Sequence, residues 1–350
     1  MKKNLAVIFG GRSSEHEVSC VSVVTIAKAV DLEKYNMFLI GITKDGEWKL
    51  VEDIAGIEDG SWKQSPVSAI ISPDTKGGLI ISQDDMMKVQ PIDVIFPVLH
   101  GMYGEDGTIQ GLFEMADITY VGCGVFASAA SMDKFYTKLV VDTLGIRQAV
   151  YVPVLAEQLE DIDEVTARVE AKLSYPVFVK PSKAGSSKGV SKADDRAALV
   201  VALKEAAKHD YKILVEETIV GREIECAVLG YGKNTKASRV GEILAAAEFY
   251  DFDAKYNNVE SKTVIGADLP DGKEAEVQKD AVAIFNALDG FGLSRVDFFL
   301  EKDTNEVVFN EINTLPGFTS ISMYPMLWKD KGYSIESLVE TLIEMAKERP

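Results

Sequence analysis

Short apolar runs alternate with longer stretches of helical spacing along this chain, the pattern of an α/β protein. Leu5–Phe9 reads as a buried strand, and Gly10-Gly11-Arg12-Ser13 lead from it into a helix reaching about Val30. Ser14 and Glu17 fit the S-x-x-E capping box, which leaves Glu15 in a first turn whose dipole favours a carboxylate. Strands are predicted at Met37–Thr43, Glu47–Val51, Val67–Ser72, Leu79–Ser82 and Ile92–Val98. The last of these runs straight into Leu99-His100-Gly101 and Gly104-Glu105-Asp106-Gly107, a glycine-rich turn suited to the ligand edge of an open α/β sheet. Residues 1–124 therefore read as a Rossmann-like domain, although Gly10-Gly11 lacks the third glycine of a dinucleotide fingerprint.

A small α+β unit is expected over residues 125–215. It holds a helix from Ser131 to Leu144 stopped by Gly145, a strand at Val150–Leu155 and a helix at Asp161–Leu173. A strand at Tyr175–Lys180 opens the loop Pro181–Gly189, and a helix at Asp194–Ala207 with a strand at Lys212–Glu216 completes the unit. The third region, residues 216–350, begins with strands at Glu223–Leu229 and Ser238–Glu248. Phe249–Lys262 follows as a polar, aromatic-bearing loop long enough to be a lid. Helices at Lys273–Leu288 and Ile335–Lys347 bracket a hairpin formed by Leu293–Leu300 and Val307–Asn313.

That hairpin carries the densest chemistry. Alternation groups Arg295, Asp297 and Phe299 on one strand, and Val307, Phe309, Glu311 and Asn313 on the other. If Phe299 and Val307 share a face, Asp297, Glu311 and Asn313 meet there too. Two carboxylates and an amide oxygen suit a hard cation; a solvated, charged sheet face would look the same. The turn-rich loop Thr314–Ser320 follows, where main-chain N–H groups can meet an anion.

Composition narrows the partners. A formal net charge of -18 over 350 residues argues against nucleic acid and membrane surfaces, while leaving room for a local phosphate pocket built from lysines and backbone amides. Cys20, Cys123 and Cys226 are widely spaced and read as reduced, small apolar residues. The apolar run after Met1-Lys2-Lys3 is too short for a signal core, and no segment is long enough to span a bilayer, so a soluble cytoplasmic protein is expected. Lys180 closes an apolar strand at the mouth of the Gly/Ser loop, a sensible position for a phosphate-binding charge, and Lys134 lies early in a helix. Ile213–Ile219 joins two regions as a hinge whose main chain can hydrogen-bond a flat base, with Glu223 in reach of a sugar hydroxyl.

Several motifs fail on context. Gly185-Ser186-Ser187-Lys188-Gly189 matches G-x-S-x-G, but it is separated from the strand before it and the helix after it, so Ser187 is not on a nucleophile elbow. His209, the histidine that follows, reads as solvated. A flexible phosphate-binding flap fits better. Ser131-Met132-Asp133-Lys134 matches S-x-x-K without its partner motifs, and His16-Glu17-Val18-Ser19-Cys20 misses H-E-x-x-H at the last residue. No Walker A run is present.

In order along the chain, these motifs resemble the ATP-grasp ligases, and most closely the D-alanine–D-alanine ligases. The resemblance rests on Gly10-Gly11 with Ser14–Ser19, Leu99-His100-Gly101 with Gly104–Gly107, and Met132-Asp133-Lys134. It continues through Val179-Lys180-Pro181, Gly185-Ser186-Ser187, Phe249–Phe252 with Ala254-Lys255-Tyr256, Ser294–Asp297 and Asn310–Thr314. It implies an ATP-grasp fold behind the Rossmann-like domain. It assigns Lys134, Lys180, Ser187 and Lys255 to ATP phosphates, Glu216 and Ile219 to adenine, and Glu223 to ribose. Asp297, Glu311 and Asn313 would hold two Mg²⁺ ions, for which Mn²⁺ can substitute. Glu15 would take the first D-alanine ammonium, with Ser19 and His100 nearby. Ser186 and Tyr256 would join Glu15 in closing flap and lid. Arg295 and the Gly317 N–H would face the reacting carboxyl oxygen, and Ser322 with Met323 would receive the second amino acid. A homodimer is implied as well.

The implied reaction activates one D-alanine as an acyl phosphate and joins it to a second, for peptidoglycan precursors. Lys255-Tyr256 speaks against D-lactate as acceptor, and Met323 favours D-alanine over D-serine. Phe252, in place of the tyrosine of the Y-D-Y lid motif, keeps a D-alanine–D-serine ligase as the alternative on the same frame. From other classes, a serine hydrolase using Ser187 and a non-catalytic nucleotide sensor are the competing readings.

Overall fold

The computed structural model describes residues 2–75, 78–186, 188–244 and 262–349. Among them the chain forms three sheets. The first holds β1 (Lys3–Gly10), β2 (Tyr35–Ile42), β3 (Trp48–Val51), β4 (Ser68–Ile71), β5 (Leu79–Gln83), β6 (Met86–Gln90), β7 (Val94–Val98) and β8 (Thr119–Tyr120). Their order is β6-β5-β4-β3-β2-β1-β7-β8, parallel from β2 to β8 and antiparallel from β2 to β6. The parallel strands are apolar on both faces, as β1 shows: Leu5 through Phe9 are all fully buried. Loops leaving the carboxyl ends of β1 and β7 therefore converge at one edge, the position where open α/β sheets bind ligands.

The second sheet, β9 (Tyr151–Leu155), β10 (Val177–Pro181), β11 (Ser191–Ala193) and β12 (Lys212–Glu217), is antiparallel in the order β11-β10-β12-β9. The third comprises β13 (Gly221–Tyr231), β14 (Lys236–Leu244), β15 (Lys262–Ile265), β16 (Phe291–Glu301) and β17 (Val307–Asn313), ordered β15-β14-β13-β16-β17. The second and third sheets are joined by the short hinge Thr218-Ile219-Val220.

The largest core mixes residues from both ends of the chain. Leu5, Val7, Val23 and Ile26 share it with Leu338, Leu342 and Ile343 of the final helix, Ile335–Ala346. Phe318, Tyr324, Leu327 and Trp328 pack into the same cluster, so the first sheet and the segment after β17 are welded together. Each of these large side chains contributes about 1.5–3 kcal/mol on burial.

Local expectations needed three corrections. The first helix runs His16–Ala29 with Glu15 at its N-cap and no side-chain cap, so Ser14 and Glu17 form no capping box. Instead the Ser13 hydroxyl accepts from the Glu15 N–H at 3.1 Å and donates to the His100 carbonyl at 2.7 Å, tying the helix start to the β7 loop. The segment expected as one helix from Ser131 is split into Val125–Met132 and Lys134–Leu144, because Asp133 turns out of helical geometry and caps the second piece. Helices at Thr108–Met115 and Met323–Asp330, not expected from the pattern, follow the glycine-rich β7 loop and the turn-rich loop Thr314–Ser320. His209 is exposed, as expected, with its ring against Gly189 and Glu205 3.6 Å away.

Candidate active site

A cavity of about 960 Å³ opens between the three sheets. Its walls are the start of the first helix (Glu15, Glu17, Val18), the β7 loop (His100, Gly101, Glu105), Lys134, the loop Ala184–Ser186, the face of the third sheet, and Thr314–Met323.

The third sheet supplies the acidic wall. Glu225 on β13, Asp297 on β16 and Glu311 on β17 are direct cross-strand partners, and Arg295 is the partner of Asn313. Directly opposed residues share a face, so Arg295, Asp297, Glu311 and Asn313 do come together. The route to that face differs from the alternation argument. A bulge at Asn310 shifts the register, pairing Phe299 with Val308 and Leu300 with Val307. Phe309 thereby turns away from Glu311 and packs edge-on against Phe298, 6.0 Å away, in the core behind the sheet.

Arg295 neutralises part of this wall. Its guanidinium makes two 2.7 Å bonds to Asp297 and approaches Glu225 at 3.1 Å. Burial opposes its charge, but Asp297 and Glu225 outweigh that and keep it firmly protonated. Asn313 donates its Nδ2 to Asp297 at 3.0 Å, which leaves its Oδ1 as a ligand atom. Lys134 reaches Glu311 at 3.6 Å. Asp297, Glu311 and the Asn313 amide oxygen present only oxygen donors from one face, a chemistry that fits Mg²⁺ or Mn²⁺ and not a soft metal.

The opposite wall is fixed by a relay through His100. Its Nδ1 lies 2.8 Å from the Leu315 carbonyl, which only accepts, so that nitrogen carries the proton. Nε2 then accepts from the Ser22 hydroxyl at 3.1 Å, and Ser22 in turn accepts from the Phe318 N–H at 3.2 Å. Burial holds this imidazole below its ordinary pKa, so it is neutral and serves to clamp the loop carrying Gly317. Glu105 completes the clamp by accepting from the N–H groups of Gly101 at 2.9 Å and Leu315 at 2.7 Å. The acceptor that the 314–320 loop meets through its main chain is thus, in part, a carboxyl group of the protein itself. Burial and the nearby Glu15 charge raise Glu105 to about 8, against the pull of those two N–H donors.

Glu15 Oε2 threads between two glycines: a Cβ on Gly101 would lie 2.5 Å from it, and one on Gly185 3.1 Å. The first helix, the β7 loop and the flap loop therefore meet at one carboxylate oxygen. Ser186 beside it has a left-handed backbone (φ 50) and a buried hydroxyl with no hydrogen-bond partner among the described residues. A buried hydroxyl left unpaired is costly, and a ligand in this cavity would satisfy it. Ser19 is different. It is fully buried, its hydroxyl donating to the Val98 carbonyl and accepting from the Gly10 N–H, so it braces β1 against β7 and is not part of the cavity wall.

Gly317, Ser322 and Met323 line the far end of the cavity. Ser322 Oγ accepts from the Thr319 N–H at 3.0 Å and bonds its hydroxyl at 2.7 Å, closing the turn around Gly317. Met323 is nearly buried and packs on Gly241, where any Cβ would meet its sulfur at 2.3 Å.

A second polar centre lies at the hinge side. Glu216 on β12 is buried between Lys180 at 2.7 Å and Lys138 at 3.1 Å. Burial raises its pKa, yet the two ammonium groups prevail and bring it to about 2. Burial lowers that of Lys138. Lys134 donates to the Ala184 carbonyl at 2.9 Å, linking the flap loop to the acidic wall. Ile219 lies in the hinge beyond β12, and Glu223 shares the sheet face of Glu225; neither these nor Lys180 and Glu216 border the cavity itself. Ser187, Lys255, Tyr256 and all but the last residue of the lid Phe249–Lys262 lie outside the described residues.

Sequence reasoning missed four charged groups. Glu225 stands two residues from Glu223 on the same strand face, and Lys138 is one helical turn from Lys134; both spacings were available signals. Glu105 stood in a quoted motif without a role. Asp133, buried and bonded to Lys212 at 2.8 Å and Ser182 at 2.6 Å, anchors the base of the flap.

Comparison with known proteins agrees with this architecture. The model of the D-ala D-ala ligase N-terminus matches residues 4–123, and that of the D-ala D-ala ligase C-terminus matches residues 140–344. A D-alanine–D-alanine ligase of Acetivibrio thermocellus is 50% identical, over 99% of this chain and 96% of that protein. Among solved structures, the VanG D-Ala:D-Ser ligase of Enterococcus faecalis superposes with a TM-score of 0.90 at 38% identity, covering 99% of this chain and 100% of that one. The D-alanine-D-alanine ligase of Coxiella burnetii gives 0.86 at 34% identity, covering 99% and 94%. With both halves matched by the family models and half of its residues shared with a full-length relative, this chain belongs to the D-alanine–D-alanine ligase family.

Proposed function

We propose that the protein joins two D-alanine molecules into D-alanyl-D-alanine, with ATP cleaved to ADP and phosphate. The observation that carries this reading is the pairing of walls across one cavity: an acidic, arginine-bearing sheet face opposite Glu15 and the clamped 314–323 loop.

In this reading Glu15 accepts the ammonium of the first D-alanine, whose carboxylate is then held toward the third sheet. A carboxylate oxygen attacks the γ-phosphorus, the β–γ bridging P–O bond breaks, and ADP leaves. The amine of the second D-alanine attacks the resulting acyl phosphate, sheds a proton, and phosphate departs. Arg295 and the Gly317 N–H are suited to the oxyanion that forms on the way, and their worth lies in being fixed beforehand. The Asp297 clasp and the His100–Leu315 relay supply that rigidity. Asp297, Glu311 and Asn313 would hold two Mg²⁺ ions, which when bound neutralise phosphate charge. Lys134 and Lys180 offer phosphate contacts, with Glu216, Ile219 and Glu223 toward the nucleoside. Ser187, Lys255 and Tyr256 keep the flap and lid roles that family likeness suggests. Exclusion of water by those segments would protect the acyl phosphate from hydrolysis.

Three domains meeting at residues 124 and 215, a homodimer and a cytoplasmic setting belong to the same reading, supported by family membership; no helix among the described residues is long and apolar enough to cross a membrane. D-serine is the rival acceptor, in view of the VanG likeness. Met323 favours D-alanine, because its buried thioether offers a serine hydroxyl no strong partner.

The test is ADP release with D-alanine, L-alanine, D-serine and D-lactate as acceptors. D-Alanine should give the highest kcat/KM. Release with L-alanine alone, or ATP cleavage indifferent to any amino acid, would overturn the proposal. ATP-independent ester turnover with labelling of Ser187 would favour the hydrolase reading.

A further inference from the structure

The ligase reading gives no role to His16, Glu17 or Cys20, the three side chains left over from the incomplete H-E-x-x-H pattern. In the helix His16–Ala29, positions 16 and 20 are one turn apart and project to the same side. His16 Nδ1 lies 2.8 Å from the Gly11 carbonyl, an acceptor, so Nδ1 carries the proton and Nε2 presents a lone pair. This residue is fully buried, and Nε2 has no hydrogen-bond partner among the described residues. The ring is held in place by stacking on Trp62 at 6.1 Å. A ring nitrogen of His16, Cys20 Sγ and a Glu17 carboxylate oxygen all lie within 4.8 Å of one another, and with Nδ1 engaged by Gly11, Nε2 is the nitrogen left to bind a metal. A histidine whose second ring nitrogen is anchored on a backbone carbonyl is the usual form of a metal ligand.

We propose that His16 Nε2, Cys20 Sγ and the Glu17 carboxylate form a Zn²⁺ site, with water as the fourth ligand. The nitrogen–sulfur–oxygen set separates it from the all-oxygen face of the third sheet, which suits Mg²⁺. On binding, the Cys20 thiol releases its proton to solvent, and a Zn–S bond replaces a Zn–water bond. Two cations oppose the ion: Lys44, which bonds Glu17 Oε1 at 2.8 Å, and Lys63, which lies 5.9 Å from the Trp62 ring centre. Glu17 has a second carboxylate oxygen to offer, so Lys44 and the metal share it. Glu17 also borders the main cavity, and an occupied site would stiffen the turn that follows Glu15.

The experiment uses Co²⁺ as probe on the full chain, with saturating Mg²⁺ present to fill the oxygen face. A thiolate-to-Co²⁺ charge-transfer band should grow to a single equivalent and be bleached by Zn²⁺. Cys20→Ser should abolish it, Glu17→Gln and His16→Gln should weaken binding more than about tenfold, and Cys123→Ser and Cys226→Ser should leave it intact. Absence of the band, or its survival in Cys20→Ser, overturns the site. His16 is buried, so if His16→Gln does not fold, Cys20→Ser and the exposed Glu17→Gln decide the matter. None of these readouts depends on ligase activity.

Discussion

The hinge-side centre and the acidic wall handle buried charge in opposite ways. At the hinge, two lysines enclose one glutamate, Lys138 and Lys180 around Glu216, leaving a positive excess. On the wall, Glu225, Asp297 and Glu311 stand abreast with Arg295 and Lys134 as counter-charges, leaving a negative excess. A polyanion such as a nucleotide phosphate suits the first and a divalent cation the second, so the imbalances match the two halves of a metal–nucleotide complex. On the proposed function, the difference separates charge that is structural from charge held for a ligand. Glu216 offsets two buried ammonium groups, whereas the three wall carboxylates outnumber the two cations paired with them.

The sharpest way to break that contrast is Glu216→Ala. It would strand two ammonium groups at a buried site, and urea unfolding should show a loss of roughly 3–5 kcal/mol. Glu311→Ala should do the reverse. Turnover should fall about a hundredfold or more, with a higher Mg²⁺ requirement, while stability moves by less than about 0.5 kcal/mol because like charges are relieved. Equal stability losses in the two variants would erase the distinction. Gly101→Ala tests the Glu15 contact: φ is +70 and the new methyl would lie 2.5 Å from Glu15 Oε2. The KM for D-alanine should rise about tenfold, matching a 1–2 kcal/mol penalty for the backbone and displaced carboxylate.

The smallest effect is a pH limb. The Glu216 carboxyl sits at about 2 rather than 4.5. Its contribution is therefore fully present above about 4.5 and is lost as pH falls toward 2. Denaturant titrations of Glu216→Gln over that window should show a shallower decline than the parent protein. A steeper one would mean that the lysines do not hold this group ionised.

Much of the fold was legible because buried parallel strands announce themselves as unbroken apolar runs, as Leu5–Phe9 does. The acidic face was reached correctly through a faulty step. Alternation cannot register the bulge at Asn310, an extra residue whose position depends on the partner strand, and it placed Phe309 on the wrong side. The capping box failed for a related reason: Ser13, bonded to His100 in a distant segment, fixed the helix start before local chemistry could. Lys180 illustrates the same limit, since its bond to Glu216 crosses two strands that only the folded sheet brings together.

The shared core of the two chain ends has a consequence for how the molecule is made. Leu338, Leu342 and Ile343 close the cluster that contains Leu5 and Val23, and Lys34 and Tyr35 bond Glu340 and Glu344 at 2.8 and 3.0 Å. On a ribosome, the first sheet emerges long before the helix that covers it. Its apolar flank must wait until Ile335–Ala346 has been made, a contact of very high sequence separation and a slow, aggregation-exposed interval. Completion of the final helix is then the event that locks the first helix, and with it Glu15, into the site.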